Sequence, residues 1–212
     1  MSDFVLNPLY EKVITDLMEQ QYSIVENFFS TEEVLALRES LLFKYDEDKF
    51  KKSAIGNFVN EVVVEEVRGD FIFWLDESKS NTAEGTFFSK VNHFTEYLNR
   101  TCFMGIAEKE FHYAVYPKGT YYHRHLDTFQ NDDSRKLSVV CYLNDEDWLP
   151  EYGGELTLYL DKNGVETPLN VYPMQGRVVV FESQVLEHEV KPVKQERLSI
   201  TGWLKSRPEI VF

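Results

Sequence analysis

From Glu110 to Lys205 the chain is a succession of short segments rich in β-branched and aromatic residues with period-two patterning, and this limits its fold more tightly than any other feature. The segments are EFHYAVYP (110–117), YYHRHLD (121–127), KLSVVCYLN (136–144), GELTLYL (154–160), RVVVFES (177–183), HEVKPV (188–193) and RLSITGWLK (197–205). Alternation of this kind puts successive side chains on opposite faces of a sheet. Pro117-Lys118-Gly119, Asn131-Asp132-Asp133, Gly153-Gly154, Asn163-Gly164 and Met174-Gln175-Gly176 separate the segments as turns. Strands this short, at this spacing, form a sandwich or barrel.

The N-terminal half reads differently. Asn7 to Gln20 has Leu9, Val13, Leu17 and Met18 at near-helical spacing. YSIVENFF (22–29) reads as a strand. Ser30 and Glu33 form a capping box that opens a helix running to about Phe43. The charged stretch 44–52 reads as a loop, and 62–76 as two strands joined by a turn at Arg68-Gly69-Asp70. Thr86 to Asn99 is a further amphipathic helix, with Phe87, Val91, Phe94 and Leu98 on one side. No linker, repeat or low-complexity stretch divides the chain, so residues 1–212 are expected to form one domain. Its fold class is mainly β with α: a double-stranded β-helix, or jelly roll, at about 110–205, buttressed by helices and strands at about 1–109.

Within the β-rich half stand His125-Leu126-Asp127, then His188, then Arg197. Two histidines and a carboxylate in this order can hold one face of an octahedral Fe(II) and leave the opposite face open. On one strand, positions 125 and 127 share a face, and the third ligand must come from a distant strand. Positions 123, 125 and 127 all share that face, so His123 is a geometric alternative to His125, although the HxD spacing favours His125. Arg197 suits the far carboxylate of a dicarboxylate co-substrate, because its paired donors match a carboxylate better than lysine does. His93 and His112 lie within helical and strand patterns away from any carboxylate cluster and read as ordinary structural residues.

The net charge of −14, from 22 basic and 36 acidic residues, disfavours nucleic acid and anionic membrane as partners and would favour a basic one. No 18-residue apolar run suggests a membrane span, and MSDFVLNPLYEK lacks the features of a secretory signal. Two cysteines, Cys102 and Cys141, suit a reducing cytoplasm, and both read as core residues.

The segments VRGDFIFWLDE, AVYPKGTYYHRHLD, RKLSVVCYLN, GGELTLY, PMQGRVVVFES and HEVKPVKQERLSITGW, over about 62–205, resemble the Fe(II)/2-oxoglutarate-dependent prolyl hydroxylases. The likeness is greatest to the oxygen-sensing branch, the hypoxia-factor prolyl hydroxylases and their bacterial relatives. The resemblance implies Fe(II) ligation by His125, Asp127 and His188, with Arg197 against the distal carboxylate of 2-oxoglutarate. It implies that Tyr116 and Tyr142 line the co-substrate pocket and that Trp203 walls the iron pocket. It puts the turn of Arg68 and Asp70 at the border of a peptide groove, to which Tyr122 and His123 are assigned. The turn PKGTYYHRH is one residue shorter than is usual in the family, which leaves that rim undefined.

The expected reaction is hydroxylation coupled to decarboxylation of 2-oxoglutarate, with O2 consumed, succinate and CO2 released, and ascorbate supportive. A carboxylate at Asp127 disfavours halogenation. The expected substrate is a prolyl residue of a protein or peptide, acted on by a monomer or weak dimer. A small-molecule hydroxylase, a cupin-type enzyme built on His123 and His125, and a non-catalytic metal-binding module remain as alternatives. Arg197 and the two tyrosines argue against a cupin, and the intact triad argues against a non-catalytic module.

Overall fold

The computed structural model describes residues 5–53, 68–128 and 134–207. Helix α1 (Pro8–Gln20) starts where the Asn7 side chain accepts from the amides of Leu9 and Tyr10, with proline in the first turn, where its missing N–H costs nothing. It is followed by a short strand β1 (Tyr22–Val25), which stops well before the expected Phe29. Asn27 takes a left-handed φ of 60°, which breaks the strand and turns Phe28 and Phe29 into the core.

Helix α2 (Thr31–Asp46) carries the expected capping box: the Ser30 amide donates to Glu33 at 2.7 Å and the Glu33 amide donates to Ser30 Oγ at 3.3 Å. The helix consumes the first part of the expected 44–52 loop. The last part, β2 (Lys51–Lys52), pairs with β3 (Phe71–Trp74). The expected strand over 62–67 lies outside the described residues. Helix α3 (Thr82–Cys102) begins a turn earlier than the apolar pattern suggests, because Asn81 and Glu84 form a second capping box. No helix among the described residues is long and apolar enough to cross a membrane.

The remaining strands are β4 (Ile106–Tyr116), β5 (Tyr122–His125), β6 (Arg135–Tyr142), β7 (Leu156–Lys162), β8 (Val165–Val171), β9 (Val178–Glu182), β10 (His188–Val190) and β11 (Arg197–Ser206). Strand β8 was not expected from the sequence. Its VETPLNV contains a proline and few buried positions, and it pairs only with β7, at the edge of its sheet, where a missing N–H is tolerated.

Among the described residues the strands form two antiparallel sheets, of order β1-β9-β6-β11-β4-β3-β2 and β5-β10-β7-β8, in a jelly-roll arrangement. Alternation sorts each central strand of the larger sheet between two surroundings. Phe111, Tyr113 and Val115 of β4, Leu137, Val139 and Cys141 of β6, and Leu198, Ile200 and Leu204 of β11 pack with Leu37, Leu41, Phe87, Phe94 and Leu98 of the helices. Each such side chain, fully buried, contributes about 1.5–3 kcal/mol. The other parity of β6 and β9, Val140, Tyr142, Val179 and Phe181, packs instead against Leu156, Leu158 and Leu160 of the smaller sheet. Cys141 is in the core as expected, but Cys102 is exposed at the end of α3, so its reading as a core residue is corrected.

Candidate metal centre

The inward parity of β4 and β11 carries buried polar side chains, His112, Arg197 and Ser199 among them. Arg197 stands opposite Tyr116, Ser199 opposite Ala114, and Thr201 opposite His112. On the facing sheet, His188 of β10 lies directly across from His125 of β5. A cavity opens between them, lined by His125, Asp127, His188 and Arg197 and walled by Phe181 and Trp203.

His125, Asp127 and His188 each bring a donor atom into a cluster whose members all lie within 4.8 Å of one another. Asp127 Oδ1 is 3.4 Å from His125 Nε2, and its Oδ2 is 3.5 Å from His188 Nε2. Each histidine is oriented from behind. His125 Nδ1 lies 2.7 Å from the carbonyl oxygen of His123, and His188 Nδ1 lies 3.1 Å from that of Leu186. A proton held on Nδ1 for these carbonyls leaves the Nε2 lone pairs turned toward the cluster, the tautomer a metal needs. Ser138 Oγ donates to Asp127 Oδ2 at 2.6 Å and itself contacts Ser183 Oγ at 2.9 Å.

The electrostatics suit a cation. Burial opposes ionisation of Asp127, but the neighbouring His188 and His125, with the Ser138 hydroxyl, outweigh it and hold the carboxyl well below the usual range. Burial also brings His188 down to about 4 against the pull of Asp127, so its ring is neutral and free to donate a lone pair.

At the other end of the cavity Arg197 is only 2% exposed. Its guanidinium carbon lies 4.9 Å from the Tyr116 ring centroid and 5.0 Å from that of Tyr142. Among the described residues it meets no carboxylate; Nη1 reaches only Ser199 Oγ, at 3.4 Å, and Nε has no partner. The Tyr142 hydroxyl is also buried without a partner. Gly154 makes room for the arginine: a Cβ there would come within 3.2 Å of its side chain and 2.7 Å of Val193, and its φ is +70°. A buried cation beside orphaned donors is costly unless an anion completes it. A dicarboxylate reaching from the donor cluster to Arg197 fits this set of residues, and Fe(II) fits the two imidazoles and carboxylate.

The assigned rim residues separate. Arg68 Nε and Nη2 donate to the two Asp70 oxygens at 2.8 and 2.6 Å, and Ser53 Oγ donates to Asp70 Oδ1 at 2.5 Å. Asp70 is fully buried beneath this pair, whereas Arg68 reaches the cavity and lies over the Tyr122 ring at 4.3 Å. Tyr122 in turn stacks on His125.

His123 is exposed, with its ring 4.7 Å from that of Tyr121, and it takes no part in the donor cluster. The expectation that positions 123, 125 and 127 share one face is therefore corrected. His188 pairs with His125 and Val190 with Tyr122, so two residues of β5, His123 and Arg124, stand opposite the single Glu189. This bulge resets the alternation, turning His123 outward and Tyr122 inward. The stretch 129–133, part of the loop after Asp127, lies outside the described residues.

The expectation that His112 lies away from any carboxylate cluster is also corrected: it lines the same cavity as Asp127, beside Trp74 and Trp203. Ser138 and Thr201 were likewise not singled out from the sequence. A signal for all three existed, since each lies four residues, an even spacing, from Tyr116, Tyr142 or Arg197 on the same strand.

Residues 111–205 match the 2OG-Fe(II) oxygenase superfamily. The chain is 35% identical to a prolyl-4-hydroxylase of Pseudomonas putida of known crystal structure; the match covers 94% of this chain and 100% of that one, with a TM-score of 0.82. A prolyl hydroxylase of Trichoplax adhaerens, solved with a hypoxia-inducible-factor peptide fragment, is 28% identical over 93% of this chain and 89% of its own, with a TM-score of 0.82. A viral collagen prolyl hydroxylase from Paramecium bursaria Chlorella virus-1, solved with 2OG, shares the fold at 19% identity and a TM-score of 0.61, covering 89% of this chain and 98% of that one. No curated protein matches by sequence.

Proposed function

The chain belongs to the 2OG-Fe(II) oxygenase superfamily, and on that premise we propose that it hydroxylates a prolyl residue of a protein or peptide. It is a 2-oxoglutarate-dependent dioxygenase. His125, Asp127 and His188 hold the iron in this reading, and Arg197 with Tyr116 and Tyr142 receives the distal carboxylate of 2-oxoglutarate. The observation that carries it is the pairing of the three-donor cluster with a buried arginine that meets no carboxylate among the described residues. Bound together, the metal and co-substrate supply the oxidising chemistry, in which 2-oxoglutarate and O2 yield succinate, CO2 and one oxygen atom for a substrate C–H bond.

The protein's part is orientation and exclusion of water. The carbonyls of His123 and Leu186 fix the two imidazoles, and Ser138 fixes the carboxylate. Phe181, Leu156 and Val190 give the cavity a dry wall. A carboxylate at Asp127 fills the position that a halide would need, which favours hydroxylation. Arg68, held by Asp70 and laid over Tyr122, borders the groove for the peptide. The prolyl-4-hydroxylase at 35% identity and the peptide-bound neighbour support the choice of substrate.

The reading is tested with purified protein, Fe(II), 2-oxoglutarate and ascorbate as a supporting reductant. Succinate should form slowly alone and faster with extracts of host protein, and peptide mass spectrometry should find one added oxygen on proline. Succinate formation by Asp127→Ala at the wild-type rate would sink the metal assignment. Modification confined to residues other than proline would sink the prolyl assignment.

A further inference from the structure

His112 lines the same cavity as the donor cluster and Arg197, yet the reading above gives it no task. It stands opposite Thr201 on β11, four residues along the ladder from Arg197, a separation of about 14 Å. That places it beyond the chelating end of a five-carbon diacid anchored at Arg197. Arg68 and Tyr122, which border the proposed groove, line the same cavity.

Its surroundings do not explain a polar side chain. The ring is 3% exposed and packs against Trp74 and Trp203, with centroids 4.9 and 5.6 Å away. Its Nδ1 is buried with no hydrogen-bond partner among the described residues, and Trp203 Nε1, beside it, has none either. A phenylalanine would pack against the two tryptophans, whose own rings are 6.3 Å apart, equally well. A buried ring nitrogen with no partner carries a desolvation penalty, so its presence points to a ligand that completes it. The indole N–H can only donate, so that ligand must bring an acceptor, and oxygen is the acceptor a peptide offers.

We propose that His112 is a specificity-determining residue that donates a hydrogen bond from its ring to a backbone oxygen of the peptide beside the target carbon, with Trp203 Nε1 as a second donor in the same wall. The inference rests on the prolyl reading. A substrate lacking an oxygen at this place leaves both donors unsatisfied, which discriminates by more than shape does.

The test uses the full chain loaded with Zn(II) and N-oxalylglycine, an unreactive stand-in for 2-oxoglutarate, titrated with the capped peptide acetyl-Ala-Pro-Ala-amide. Binding is read from tryptophan fluorescence and from the nitrogen NMR signals of the His112 ring. The wild type should bind the peptide with a shift in one His112 nitrogen, and His112→Phe should bind it about tenfold more weakly. His112→Asn places an amide where Nδ1 lies and His112→Gln where Nε2 lies, so recovery by one of them identifies the donating nitrogen. Unchanged affinity for Zn(II) and N-oxalylglycine shows that each variant is folded. Equal peptide binding by wild type and His112→Phe overturns the proposal and leaves the prolyl reading standing. Failure of both polar variants to recover affinity also overturns it, because the contact is then one of shape alone. Absence of peptide binding by the wild type overturns the proposal and the prolyl reading together.

Discussion

Tyr122 stacks on His125 with ring centroids 3.7 Å apart and planes 20° from parallel, although an unbroken strand turns residues three apart to opposite faces. The bulge opposite Glu189 makes the contact possible, and the Arg68 guanidinium lies 4.3 Å from the tyrosine ring centroid. The His125 imidazole of the donor cluster is thus buttressed by a stack that begins at Asp70.

Tyr122→Leu should therefore loosen His125. An aromatic pair contributes about 0.5–1.5 kcal/mol beyond burial, so Fe(II) affinity should fall by up to about tenfold, whereas Tyr122→Phe keeps the stack and should stay near wild type. Isothermal titration with Fe(II) under anaerobic conditions measures this. Equal affinity in the leucine variant would show that the stack does not orient the ligand.

Ser138 donates to the Asp127 oxygen that also faces His188. Removing a hydrogen bond of this kind behind a metal ligand costs about 10–100-fold in metal affinity or activity. If Asp127 holds the metal as proposed, Ser138→Ala should show such a loss in Fe(II) titration with its circular dichroism spectrum unchanged, and Ser183→Ala, one hydrogen bond further from Asp127, a smaller one.

Arg197 is a buried cation that meets no carboxylate among the described residues, and under the proposed function its anion is 2-oxoglutarate. Arg197→Met should weaken 2-oxoglutarate binding by at least about 30-fold, the equivalent of about 2 kcal/mol for loss of one partner of a buried charged pair. Without co-substrate the same variant should be as stable as the wild type or more so, since an apolar side chain avoids the cost of desolvating the charge. Urea titrations with and without 2-oxoglutarate separate the two effects. A variant destabilised equally in both would mean that the arginine is structural.

Gly202 lies in β11 between Thr201 and Trp203, where a Cβ would come within 2.1 Å of the Glu110 carbonyl oxygen and 2.3 Å of the Phe111 ring. Gly202→Ala must push β4 away from β11, and overpacking of a core costs about 1–3 kcal/mol. A lowered urea midpoint with an unchanged slope is expected. Because Tyr116 and Arg197 face each other on this pair of strands, 2-oxoglutarate affinity should fall as well.

Much of the molecule was legible in the chain itself because the signals are local. The Ser30–Glu33 box set the start of α2, and period-two alternation identified β4, β6, β9 and β11 to within a few residues. The order His125-x-Asp127, His188, Arg197 picked out residues that the fold brings to one cavity. Less legible were the start of α3, set by the Asn81–Glu84 cap one turn before the apolar pattern begins, and the edge strand β8, whose Pro168 breaks the composition typical of a strand.

What the sequence determined, then, was the faces of the strands and the donor types, since both follow from side-chain chemistry and a fixed repeat. The tertiary structure decided which histidine enters the cluster, because the bulge in β5 exists only in the pairing with β10. It decided that Arg197 has no carboxylate among the described residues, and that His112 stands with an unsatisfied Nδ1 against two tryptophans. Register and partner are properties of strands brought together from far apart in the chain, and no local repeat encodes them.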